Sequence, residues 1–279
     1  MIDVDALAAL LDEGAPVRVL DVRWSLAEPD GRAAFRAGHL PTAVYVDLDT
    51  ELAAHGAPTD GRHPLPDVAD LQEAARRWGI SATSTVVVYD DAAGLASTRA
   101  WWLLRWAGVA DVRVLDGALG AWRAAGRPLV EGDAVSVDAG DVVLTSGHLP
   151  TLDADGAAAF ARDHVLLDAR AAERYRGEVE PIDPRPGHVP GAVSAPTTLN
   201  VDGAGRFLDS AALTARFASL GARAGEPVGV YCGSGVTAAH EALALLVAGF
   251  EPVLYPGSWS AWSNDPTRPV AVGGAPWGS

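Results

Sequence analysis

One residue stands out for its chemistry: Cys232, the only cysteine of 279 residues, in the stretch YCGSGVTAAH at 231–240. A run rich in valine ends at Tyr231, and a small-residue helical pattern begins near Val236 and Thr237. The thiol therefore lies where a buried strand turns into a helix. Gly233 and Gly235 permit positive φ and let backbone N–H groups point inward around the sulfur. The helix start adds unpaired N–H donors and roughly half a positive charge. A free thiol titrates at about 8.5 and only the thiolate attacks, so a loop built this way would favour the reactive form. The opposing reading is a small buried hydrophobe, the usual role of a lone cysteine.

Composition removes several alternatives. Acids outnumber bases 36 to 21, giving a net charge of −15, and all the bases are arginine. With no lysine, Schiff-base chemistry at that side chain is excluded, and the acidic balance argues against nucleic-acid partners. A single cysteine cannot close an internal disulfide or build a four-cysteine zinc site, and the seven histidines have no metal-helix spacing. No metal or cofactor is expected. No apolar run reaches the length of a membrane span and the N-terminal segment lacks a basic region before its apolar stretch, so a cytoplasmic protein without membrane contact is expected.

The elements that would position Cys232 occur twice. VRVLDVR (17–23) matches HVLLDAR (164–170), AGHLPTAV (37–44) matches PGHVPGAV (186–193), and VRVLDGALGAW (112–122) matches PVLYPGSWSAW (252–262). STVVVYDDAAGLASTRA (84–100) parallels GEPVGVYCGSGVTAAHEA (225–242), setting Asp90 against Cys232. The offset drifts slowly, as duplication with small insertions would produce. Short β-branched runs alternate with amphipathic stretches, a pattern of parallel strands joined by helices. Strands are predicted near 17–22, 86–89, 112–115, 165–168, 228–231 and 252–255. Helices are predicted near 5–12, 68–78, 96–107, 155–163, 211–219 and 236–248. The fold class is α/β, two tandem domains, each a small parallel sheet flanked by helices. Residues 1–131 form the first, 132–150 a linker whose VVLT could pair as an edge strand, and 151–279 the second. Ligands of open α/β sheets bind at the carboxyl ends of strands, where Cys232 falls.

These segments resemble the tandem-domain sulfurtransferases of the rhodanese superfamily, the 3-mercaptopyruvate and thiosulfate enzymes. The likeness covers nearly the whole chain and rests on CGSGVTA (232–238), GHVPGAV (187–193), LDAR (167–170), ERYRGEVEPID (173–183) and PGSWSAW (256–262). It implies an inactive first domain, in keeping with Asp90, and a second domain in which Cys232 takes sulfur from a small-molecule donor as a persulfide. The sulfur then passes to cyanide, a small thiol or a thioredoxin-like protein. The resemblance assigns Arg174 in RYRG to the donor's anionic end, together with the loop residues Gly233, Ser234, Gly235, Val236 and Thr237. A second family arginine lies in a segment like EPEPR; here the stretch reads VEPIDPR, which displaces Arg185. A serine in the loop, with a histidine and an aspartate from the other domain, is proposed in the mercaptopyruvate enzymes to assist catalysis, and the matching positions are Ser234, His63 in GRHPLP and Asp49 in YVDLDT. Asp49 and His63 could equally be polar interface residues.

A neutral Gly233–Ser234 pair after the cysteine favours mercaptopyruvate, whereas thiosulfate-preferring relatives often have basic residues there. Thiosulfate:cyanide transfer with the same nucleophile is the alternative. Phosphatase chemistry on a related fold needs an arginine six residues after the cysteine, and position 238 is alanine. A non-catalytic binding module would fit the first half alone, and a redox sensor would lack a resolving cysteine.

Overall fold

Strand-forming runs such as TVVVY and PVGVY are apolar throughout rather than alternating, the mark of parallel strands covered on both faces. The computed structural model, which describes residues 1–279, sorts the chain into two compact units. Unit 1 comprises Met1–Ala54, Pro66–Leu149 and Val201–Phe207; unit 2 comprises His55–Leu65, Pro150–Asn200 and Leu208–Ser279. Residues 55–65 thus belong to unit 2 although chain order puts them inside the first repeat.

Unit 1 runs α1 (Val4–Asp12), β1 (Val17–Asp21), α2 (Arg32–Ala37), β2 (Val44–Tyr45), α3 (Leu48–Glu51), α4 (Val68–Arg77), β3 (Thr85–Tyr89), α5 (Ser97–Trp106), β4 (Val112–Val114) and α6 (Ala118–Ala124). Unit 2 runs α7 (Ala154–Asp163), β5 (Leu166–Asp168), α8 (Ala172–Tyr175), β6 (Val193–Ser194), α9 (Ser210–Ser219), β7 (Pro227–Tyr231), α10 (Thr237–Val247), β8 (Glu251–Leu254) and α11 (Ser258–Asn264). Each unit holds one four-stranded parallel sheet, ordered β2-β1-β3-β4 and β6-β5-β7-β8. Side-chain carboxylates of Asp3, Asp67, Asp153 and Asp209 cap α1, α4, α7 and α9, each accepting an otherwise orphaned backbone N–H. No helix is long and apolar enough to cross a membrane.

Every predicted strand and helix is present within two residues of its expected ends. The two-residue strands β2 and β6 and the short helices went unpredicted, since such elements leave no periodicity to read. VVLT is not a strand: Val142 N–H donates to the Ile80 carbonyl, Leu144 N–H to the Gln72 side chain and Thr145 N–H to the Ala107 carbonyl, all inside unit 1.

The duplication extends to atoms. In unit 2 the Tyr231 hydroxyl donates to Asp168 Oδ2 (2.7 Å) and accepts Val189 N–H (3.1 Å), while Arg170 pairs with Asp168 and donates to the Gly187 carbonyl. In unit 1 Tyr89, Asp21, Leu40, Arg23 and Gly38 repeat each bond. His39 and His188 are both buried, each bonded through Nδ1 to a carbonyl and stacked at 3.8 Å on Phe35 or Tyr175. These buried groups join the central strands to the turn after them, and both units use them alike.

Candidate active site

In the strand order of unit 2 the connection from β5 goes to one side and the chain returns on the other, which makes the carboxyl ends of β5 and β7 the switch point where open α/β sheets bind ligands. Asp168 and Arg170 lie at the first end and Cys232 at the second. Cys232 is 1% exposed. Its N–H donates to Ser258 Oγ (3.1 Å), and its carbonyl accepts the Trp259 N–H (2.9 Å). The next carbonyl, of Gly233, accepts the Ser260 N–H at 2.8 Å. Three successive residues of α11 therefore hold the start of the loop. Gly235 adopts φ +82°, a conformation that favours glycine, and its N–H donates to Cys232 Sγ at 3.1 Å. Val236 and Thr237 lead directly into α10.

Unit 1 shows what the same turn does with a carboxylate. Asp90 Oδ1 accepts the N–H groups of Ala92 and Gly94, and Oδ2 those of Ala96 and Ser97, all at 2.8–2.9 Å. Four converging donors make the turn an anion cradle. In unit 1 the chain's own side chain fills it.

Ser234 and His63 meet: Oγ and Nδ1 are 2.8 Å apart, both residues buried. Asp49 belongs to unit 1, in α3, where its Oδ1 accepts the Trp24 indole N–H at 2.9 Å. Arg174, in α8, pairs with Glu180 (2.6 Å) and Asp183 (3.1 Å). A Cβ on Gly233 would lie 3.4 Å from Arg174 Nη1, so the guanidinium reaches the residue after the cysteine.

Arg185 does something else. Its Nε, Nη1 and Nη2 donate to the main-chain carbonyls of Ser263, Arg268, Trp262 and Asp265 at 2.6–2.8 Å, which commits the guanidinium to closing the segment after α11. These four bonds tie the side chain expected at the donor site to residues 262–268.

The residue that the sequence did not mark is Arg62. Its Nη2 would lie 3.2 Å from a Cβ on Gly233, and its guanidinium pairs with Asp183. The backbone N–H of Arg62 donates to Ser260 Oγ at 3.1 Å, so the residue that pins Gly233 also pins Arg62. A ladder of alternating charge results, its carboxylates buried: Arg62, Asp183, Arg174, Glu180, Arg170, Asp168. Arg170 also lies over the Trp259 ring, 4.7 Å from its centroid. Burial pushes the Asp183 carboxyl above the usual range, against the pull of the Arg62 charge.

The model of the rhodanese-like domain matches residues 3–125 and again 154–265. The chain belongs to the rhodanese-like family. Among family members it is 49% identical over 280 residues to the putative thiosulfate sulfurtransferase SseB of Mycobacterium tuberculosis, covering 99% of this chain and 98% of that one. It is 45% identical to a probable 3-mercaptopyruvate sulfurtransferase of Pseudomonas aeruginosa, covering 98% of each. The crystal structure of the Escherichia coli 3-mercaptopyruvate sulfurtransferase SseA superimposes with a TM-score of 0.82 at 30% identity, over 93% of this chain and 98% of that one. The tandem rhodanese architecture is thus common to chain and relatives, whose names divide between two sulfur donors.

Proposed function

We propose that this rhodanese-family chain is a sulfurtransferase that moves sulfur from 3-mercaptopyruvate to a thiol or cyanide through a persulfide on Cys232. The observation that carries the reading is the Gly235 N–H on Cys232 Sγ, at a turn whose duplicate in unit 1 binds a carboxylate with four N–H groups. Such a turn stabilises negative charge on sulfur, both in the attacking thiolate and in the persulfide that follows.

In the first half-reaction the Cys232 thiolate attacks the donor's sulfur. The new S–S bond takes the thiolate's electron pair, the donor's C–S bond breaks, and its electrons leave as the pyruvate enolate, which a proton converts to pyruvate. Ser234, hydrogen-bonded to His63, is the group beside the cysteine able to supply that proton. Arg174 attracts the donor's carboxylate. In the second half-reaction cyanide or a thiolate attacks the outer sulfur, forms thiocyanate or a new persulfide, and returns the Cys232 thiolate. A two-stage course of this kind gives ping-pong kinetics.

The name of the M. tuberculosis relative favours a second reading, with thiosulfate as donor and sulfite as leaving group. Phosphatase chemistry has no cation where it needs one, because Ala238 is fully buried in α10. The test is to mix the protein with each donor and measure pyruvate or sulfite release together with the mass of the Cys232 peptide. One added sulfur atom, absent in Cys232→Ser, is expected. No adduct with either donor sinks the reading.

A further inference from the structure

We propose that Arg62 and Arg174 together hold the anionic end of the sulfur donor beside Cys232, and that Asp183, bridging the two guanidiniums, makes this site select a monoanionic over a dianionic donor. The inference rests on the sulfurtransferase reading and names the groups that would set its substrate.

Geometry comes first. Both guanidiniums reach Gly233, from opposite ends of the Asp183 carboxylate. Arg174 is 15% exposed and Arg62 27%, whereas Asp183 is 1% and Glu180 3% exposed. Cations open to solvent above buried anions form a surface an arriving anion can meet. Arg62 also has an unused donor: its Nε is buried with no hydrogen-bond partner, which is costly unless something occupies it. Arg185, whose guanidinium is spent on four carbonyls, leaves the second cation position to Arg62.

Charge gives the selectivity. The ladder holds three guanidiniums, Arg62, Arg170 and Arg174, and three carboxylates, Asp168, Glu180 and Asp183. It is balanced. An incoming carboxylate leaves it with one uncompensated negative charge, and the dianion thiosulfate leaves it with two. With the ladder's carboxylates buried, each uncompensated negative charge is penalised more than in water. Asp183 contributes most directly, because it touches both arginines.

The experiment separates the two half-reactions in wild type, Arg62→Gln, Arg62→Lys and Asp183→Asn, each checked for folding by thermal melting. Loading of Cys232 is followed with mercaptopyruvate and with thiosulfate, and discharge of the preloaded persulfide with cyanide. Arg62→Gln is expected to lower kcat/KM for loading by about 10- to 100-fold, as loss of a charge-assisted contact does, with discharge unchanged and Arg62→Lys intermediate. Asp183→Asn is expected to raise the thiosulfate-to-mercaptopyruvate ratio about tenfold. Should Asp183→Asn not fold, Arg62→Gln asks the same question, since loss of a cation must penalise thiosulfate more than mercaptopyruvate. Unchanged loading in Arg62→Gln, or an equal fall in loading and discharge, overturns the anion site. A donor ratio that moves in no folded variant overturns the selectivity. Failure of the wild type to load from either donor instead sinks the sulfurtransferase reading, and this inference with it.

Discussion

Ser234 Oγ and His63 Nδ1 are 2.8 Å apart, although 171 residues of chain separate them. The contact lies within one compact unit because residues 55–65 pack with the second sheet, where Gly61 approaches the Gly257 carbonyl and Arg62 is tied to Ser260. A hydroxyl and an imidazole in contact beside a nucleophile can move a proton as a unit.

That unit predicts a donor-dependent defect. An enolate needs a proton to leave cleanly, whereas sulfite does not. Ser234→Ala and His63→Ala should each slow loading from mercaptopyruvate by about 100-fold and loading from thiosulfate by much less. The double variant should be little worse than either single one, because groups that act together do not add. Single-turnover loading with the two donors measures this. Equal losses with both donors would leave the pair a purely structural role.

Asp90 predicts a stability effect in unit 1. Asp90→Asn keeps one accepting oxygen but turns an amide N–H₂ toward two of the four backbone donors. A loss of about 2–4 kcal/mol is expected, the scale of two buried donors left unpaired. Urea unfolding checks the size. Persulfide loading on Cys232, measured below the unfolding range, should persist.

Arg185 predicts the reverse of a binding defect. Arg185→Ala removes four bonds to the carbonyls of 262–268 and should lower stability by about 2–4 kcal/mol. KM for both donors should stay within about twofold at a temperature where the variant is folded. A large rise in KM with unchanged melting would restore it to the donor site.

Arg185 and Arg62 also mark where the sequence stopped being legible. A strand such as TVVVY announces itself as a short apolar, β-branched run and a helix such as VADLQEAARR through its periodicity, and the repeat supplied Asp90 as a counterpart to Cys232. The Ser234–His63 pair was legible only through resemblance to a family. For Arg185 position along a motif does not reveal where a long side chain turns, and here it turns toward carbonyls. Arg62 was passed over because 170 residues separate it from Cys232. The one local signal was its place beside His63, in GRHPLP. Asp183 and Glu180 were quoted as part of a motif, yet their bridging of three arginines is a fact of three dimensions.

A last prediction concerns Glu241, on the helix that begins at the cysteine loop. It is fully buried, its Oε2 accepts Asn200 Nδ2 at 2.6 Å, and Asn200 Oδ1 accepts Arg216 Nε at 2.8 Å. Burial pushes its carboxyl up from 4.5 to about 7, with Arg216 pulling the other way. Between those two values the folded protein holds a proton that the unfolded chain has lost, so folding stability falls as pH rises through that window. Below it the contribution is fully present, and above about 7 the loss is complete. At about 1.4 kcal/mol per unit, the full effect is on the order of 3 kcal/mol. Asp21, raised by burial to about 6, acts with the same sign, so the measurement must be a difference. Glu241→Gln, which keeps a carbonyl for Asn200, should gain on the wild type as pH rises from 5 to 8 by up to about 3 kcal/mol in urea unfolding. A difference that stays constant over that range would mean that Glu241 is charged throughout, held so by Arg216 acting through Asn200.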